Sequence, residues 1–132
     1  MKKQLLTENL RHRLLVNAAA GREIDHVPVV KIFDPVGAAC WLLTEMVAPE
    51  NHDIEPDLLF GLCDLGFGEP ELGYVSLAEL EAVKGRLGIG LEFDFTFRGL
   101  FPISVYAEAA RRHSRIVEAE GPLMEAGRCL RI

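Results

Sequence analysis

Three charged residues stand where a sheet protein usually keeps apolar ones: Lys31 in VPVVKIF, Glu45 in CWLLTEM and Asp64 in FGLCDL. Burying a charge is costly unless it is paired, so these side chains must find one another or face an opening. An internal ion pair of Lys31 with Glu45 or Asp64 is the structural reading. The functional reading is a cleft in which Lys31, Trp41, Glu45, Asp64, Glu71 and Tyr74 recognise a peptide, a small molecule or a partner loop.

Acids also gather around the glycines of FGLCDLGFGEPELGYVS. Asp64, Glu69 and Glu71, joined by Glu45, have the hard oxygen donors that a divalent cation needs, which would suit a metal-dependent hydrolase or nuclease. They lack the regular ligand spacing of a calcium loop, so a solvated acidic rim is the simpler account. Gly66-Phe67-Gly68 superficially suggests a phosphate loop, but it has no lysine and does not open a helix. A turn with glycine at positive φ explains the same residues.

Nucleophilic chemistry has little support. His12, His26, His52 and His113 accompany neither a G-x-S-x-G nor a Cys/His signature. Only His26, beside Asp25, is retained as a candidate acid or base, and its simpler task is to hydrogen-bond a strand end. Cys40, Cys63 and Cys129 form no C-x-x-C pair, and the first two lie in apolar runs where a reduced thiol acts as a small hydrophobe. No cofactor and no metal site is expected from these patterns.

The chain has 132 residues, enough for one domain with a real core. Its 14 basic and 20 acidic residues give a formal charge of −6, which repels a phosphate backbone and argues against direct nucleic-acid binding. Arg111, Arg112, His113 and Arg115 are the nearest approach to a basic cluster and read as the solvated face of a helix. The acidity also permits imitation of nucleic acid. No run approaches a membrane span, and the charges in MKKQLLTENLRHRLL interrupt any signal-peptide core, so a cytoplasmic location is expected.

The elements that must position these residues can be read from pattern. Thr7 caps a first helix carrying Leu10, Leu14 and Leu15 on one side, with Leu6 as a staple and Gly21 as its end. His26 to Phe33 and Ala38 to Met46 form a hairpin around Asp34-Pro35-Val36-Gly37. Trp41, Leu43 and Glu45 are expected on one face, with Leu42, Thr44 and Met46 opposite. Neither strand alternates cleanly, which places both mid-sheet, covered on both sides.

After an exposed loop at residues 48–57, Leu58 to Leu65 reads as a third strand and Gly73 to Val75 as a short fourth. Ser76 and Glu79 make a capping box for a helix that Gly85 ends. Leu91 to Phe97 alternates as a half-buried strand, with Leu91, Phe93, Phe95 and Phe97 inward. Ser104 is expected to cap a last helix running to about Ile116. The result is an α+β domain over residues 1–118: an antiparallel or mixed central sheet of about five strands with about three packed helices. Residues 119–132 read as an irregular extension, mobile or docked on the body or on a second copy, which with the sheet edges makes homo-oligomerisation an expectation to test.

The runs LLTENLRHRLLVN, DHVPVVKIFDPVGAACWLLTE and FGLCDLGFGEPELGYVSLAELEAVKGRLGIGLEFDFTF, with YAEAAR, resemble the bacterial domain of unknown function family 2958 over roughly residues 5 to 118. The resemblance implies a setting among plasmid and other mobile-element genes, with no agreed activity. Glu69 stands where the family favours an apolar or aromatic residue, which weakens a ligand role for it. The expectation is therefore a non-enzymatic accessory or interaction protein with an unidentified protein partner.

Overall fold

A computed structural model describes residues 4–21, 23–47 and 57–130. It is an α+β fold with five antiparallel strands: β1 (Val30–Phe33), β2 (Cys40–Met46), β3 (Leu58–Asp64), β4 (Glu71–Ser76) and β5 (Glu92–Phe93). They lie in the order β4-β3-β2-β1-β5. Helices α1 (Glu8–Ala20) and α2 (Leu77–Ala82) cover one face, and α3 (Ile103–His113) and α4 (Glu120–Leu130) cover the other. The expected loop at residues 48–57 lies outside the described residues except for Asp57.

Both faces of the central strands are apolar, as the lack of clean alternation implied. Leu14, Leu77 and Leu80 pack with Ile32, Trp41, Leu43, Met46 and Leu59. On the opposite side Leu42 and Leu62 meet Ile103, Tyr106, Ala109, Ala110, Leu123 and Ala126. Met46 therefore shares a face with Trp41 and Leu43, contrary to strict alternation. The cause is a β-bulge: the β2–β3 register runs Leu43↔Gly61 and then Glu45↔Phe60, skipping Thr44 and reversing the phase of the last residues of β2.

The local chemistry of the helix ends explains further agreements and departures. Thr7 Oγ1 accepts from Leu10 N at 3.1 Å, and Ser76 Oγ accepts from Glu79 N at 3.2 Å, so both expected caps form. Ser104 does not cap α3. Pro102 occupies the cap position without a side-chain bond, and the Asp25 carboxylate instead accepts from the Ser104 amide at 3.1 Å and from its hydroxyl. Helix α3 stops at His113 because Ser114 enters the left-handed region at φ 57.

Three expected elements differ. The first strand begins only at Val30, since Pro28 has no amide hydrogen to give a ladder. Of Leu91 to Phe97 only two residues pair, because Asp94 turns the chain: its carboxylate accepts from Thr96 N at 2.9 Å and Thr96 Oγ1 at 2.6 Å, and Phe97 N donates to Asp94 O at 3.1 Å. Phe95, expected inside, is consequently 78% exposed, while Leu91 and Phe97 are buried. Residues 120–130, expected to be irregular, form α4, whose Leu123 and Ala126 enter the core beside α3.

Candidate functional site

The turn between β3 and β4 is built by Asp64. Its Oδ1 accepts from Gly66 N at 2.9 Å, and Gly66 and Gly68 take φ of 90 and 88. The turn is glycine-dependent, as expected, and lifts Leu65 and Phe67 clear of the sheet, Phe67 to 84% exposure. With Trp41, Glu69, Glu71, Leu72, Tyr74 and Glu79 these side chains border a groove of about 550 Å³ along the outer strand β4. Trp41 is buried and Cys63 half-buried there, with the pKa of the Cys63 thiol pushed by burial up to about 11.

The six residues of the sequence-derived cleft do not assemble into one site. Trp41, Glu71 and Tyr74 line this groove. Tyr74 borders it from the strand's other face, where it pairs with Phe60 and packs its ring on the Phe60 ring, 5.0 Å between centroids. Lys31, Asp64 and Glu45 point to the side carrying α3 and α4: Lys31 is in register with Leu42, Asp64 alternates with Leu62, and Glu45, past the bulge, is in register with Phe60, which alternates with Leu62.

Neither expected pairing of Lys31 is the one that forms. Its Nζ lies 2.6 Å from Glu118 and 3.8 Å from Asp94 and sits 5.5 Å from the centre of the Phe33 ring. Burial alone would lower the Lys31 pKa, but the hydrogen bond and charge of Glu118 outweigh it, and the pKa stands above the ordinary lysine value. Asp64, only 3% exposed, accepts at its second oxygen from Ile116 N at 3.1 Å. Two apparent site residues thus both grip the segment joining α3 to α4, one at Ile116 and one at Glu118.

Glu45 lies 3.5 Å from His26 Nε2, so the candidate acid or base faces a carboxylate. The His26 carbonyl accepts from Ile103 N at 2.8 Å, so it is the backbone of His26 that holds the first residue of α3. Among the described residues no three His, Cys, Asp or Glu side chains stand close enough to share a metal ion. Asp64 is engaged by two amides, whereas Glu69 and Glu71 border the outer groove. Arg111 and Arg112 both bond to Glu108, at 2.6 and 2.8 Å, as a solvated helix face would.

Sequence reasoning missed Asp94 and Glu118 as the partners of Lys31, since both lie far along the chain. It also passed over Arg13 and Arg98, which line a second groove beside α1. A signal for that groove existed: Asn9, His12, Arg13 and Val16 recur at three- and four-residue spacing on the side of α1 away from Leu14.

A two-faced α+β domain with a groove at each end of its sheet is the class these features define. The chain belongs to the family described as Protein of unknown function (DUF2958), whose model matches residues 5–117. No curated protein and no solved structure matches it. Among the described residues no helix is long and apolar enough to cross a membrane.

Proposed function

We propose that this protein acts by binding a protein partner rather than by catalysis, and that the partner offers an extended peptide segment to the outer edge of β4. The observation that carries this reading is the combination of an edge strand with exposed apolar side chains. Among the described strands β4 has a neighbour on one side only, and Leu65, Phe67, Leu72 and Tyr74 are exposed around it. An exposed strand edge supplies backbone hydrogen bonds to an added strand, while pockets beside it read alternate side chains.

Charge selects the kind of segment. Glu69, Glu71 and Glu79 rim the groove, and among the described residues no cation lines it. A segment alternating basic and apolar residues fits best, the basic ones on the face of Glu71 and Glu79 and the apolar ones on the opposite face, beside the exposed Leu72 and Tyr74. The mobile-element setting implied by the family and a cytoplasmic location belong to the same proposal.

Selection of displayed random peptides against the full chain tests it. Enriched peptides are expected to alternate basic and apolar residues, and to bind at least tenfold more weakly to Glu71→Lys and Phe67→Ser. Lys31→Ala, on the other side of the sheet, is expected to leave binding unchanged. Peptides that bind the Glu71→Lys, Phe67→Ser double variant as tightly as the parent would refute the assignment to β4.

A further inference from the structure

The larger groove, about 1010 Å³, lies at the opposite end of the sheet, between α1 and the two extended segments 26–30 and 93–99. It reverses the sign of the molecule. The whole chain carries 20 acids against 14 lysines and arginines, yet Arg13, Arg98, His12 and His26 line this groove and, among the described residues, Asp94 is its one carboxylate.

The arginines are available. Among the described residues neither is paired with a carboxylate: Arg98 donates to the carbonyls of Phe97 and Phe95 at 2.9 and 3.4 Å, which aims its guanidinium without neutralising it. Asp94 is already committed to Thr96 and stands 3.8 Å from Lys31. Its pKa is lowered, first by the Thr96 hydroxyl and then by other groups that include the Lys31 charge.

A second, independent feature is His26. Its side chain is only 10% exposed and lines the groove, yet its buried Nε2 makes no hydrogen bond among the described residues, the Glu45 carboxylate standing off at 3.5 Å. The remaining wall mixes the polar Thr7, Asn9 and Asn17 with apolar side chains, of which Val16, Val27 and Phe95 are exposed.

We infer that this groove binds a small organic phosphate bearing a flat ring, the chemical class of the mononucleotides. The planar forks of Arg13 and Arg98 suit a phosphate, and a ring laid against Phe95 gains from stacking. The volume is right for one such molecule. A long nucleic acid does not fit, because its further phosphates would leave the local cationic field and meet the net negative surface.

Calorimetric titration of the full chain with adenosine monophosphate, adenosine and inorganic phosphate tests this. Adenosine monophosphate is expected to bind one per chain, at least tenfold tighter than either fragment. Arg13→Ala and Arg98→Ala are each expected to weaken it about tenfold, the scale of one lost charge-assisted hydrogen bond. Arg13→Lys is expected to lose part of that, and Arg111→Ala, on α3, none. Circular dichroism of each variant separates lost binding from lost folding. Adenosine binding as tightly as its phosphate would overturn the anionic site. Equal binding of inorganic phosphate would overturn the ring subsite. Affinity unchanged in both alanine variants, or no binding by the parent chain, would overturn the inference as a whole.

Discussion

Gly61 and Gly73 sit opposite each other in the β3–β4 ladder, and the structure separates them sharply. A Cβ on Gly61 would lie 2.1 Å from the Leu42 carbonyl oxygen and 2.7 Å from the Leu43 Cα, whereas one on Gly73 meets nothing within 4 Å. The contact at Gly61 is with backbone, beside the bulge that re-phases β2, so no side-chain rotation relieves it. An ordinary carbon–oxygen contact would require β2 and β3 to separate by about 1 Å, against a close-packed layer on each face. Overpacking of a core costs about 1–3 kcal/mol and occasionally more, and the backbone position puts Gly61→Ala at the upper end, about 3 kcal/mol or above. That is a large share of the ~5–15 kcal/mol by which domains are stable. Gly73→Ala is expected to be neutral or to stabilise by about 0.5 kcal/mol, since alanine suits a strand better than glycine does. Urea denaturation followed by circular dichroism measures both through the midpoint at constant slope. A Gly61→Ala midpoint within error of the parent, or equal losses in the two variants, would refute the bulge-driven account.

Asp64→Asn keeps the shape but turns an NH₂ toward one of two donating amides; a loss of about 2 kcal/mol is expected by denaturation, and a change below about 0.5 kcal/mol would contradict the anchoring role. Of the three thiols, Cys129 is exposed, whereas burial raises the pKa of Cys40 to about 12 and that of Cys63 to about 11, so at pH 8 a thiol reagent should modify Cys129 first and Cys40 and Cys63 far more slowly. Prompt reaction of Cys40 would contradict the packing. Hydrogen bonds from Arg111 and then Arg112 hold the pKa of Glu108 down to about 2 from its ordinary 4.5. Because the folded value is the depressed one, its contribution to stability is fully present above pH 4.5 and is lost as the pH falls toward 2. A carbon-detected NMR titration showing Glu108 at the ordinary carboxylate value would remove that contribution.

The fold was legible wherever a local rule coincided with burial. Thr7, Ser76 and the apolar runs of β2 and β3 satisfy helix capping and strand patterning without help from distant residues. Errors arose where a short polar side chain competed successfully with the periodic pattern. Asp94 has perfect alternation around it and still makes a turn, because its carboxylate reaches Thr96. Ser104 has the residue type of a cap but loses that position, its amide and hydroxyl held by a carboxylate 79 residues earlier in the chain. The bulge at Thr44 left no mark in the apolar pattern, since both faces of β2 are hydrophobic and a shift of phase places one apolar residue where another was expected.

The candidate cleft failed to assemble for a related reason. Charge within a strand is informative about the cost of burial, not about which face bears it: alternation sends Lys31 and Asp64 to the side of α3 and Trp41 and Glu71 to the other. What Lys31 and Asp64 achieve together is closure of that side. By holding Glu118 and Ile116 they fix the segment that turns α3 into α4, and α4 then seals Leu42 and Leu62 with Leu123 and Ala126. With one face covered by α3 and α4 and the other by α1 and α2, the middle of the sheet is core among the described residues. Its ends remain: β4, with an acidic rim and exposed aromatic rings, and the margin of β1 beyond the short β5, where Arg13, Arg98 and His26 line one groove. Opposite charge at the two ends makes occupancy of both by the same kind of ligand unfavourable, so a basic peptide at one end and an organic anion at the other are the pair of ligands that this division of charge suits.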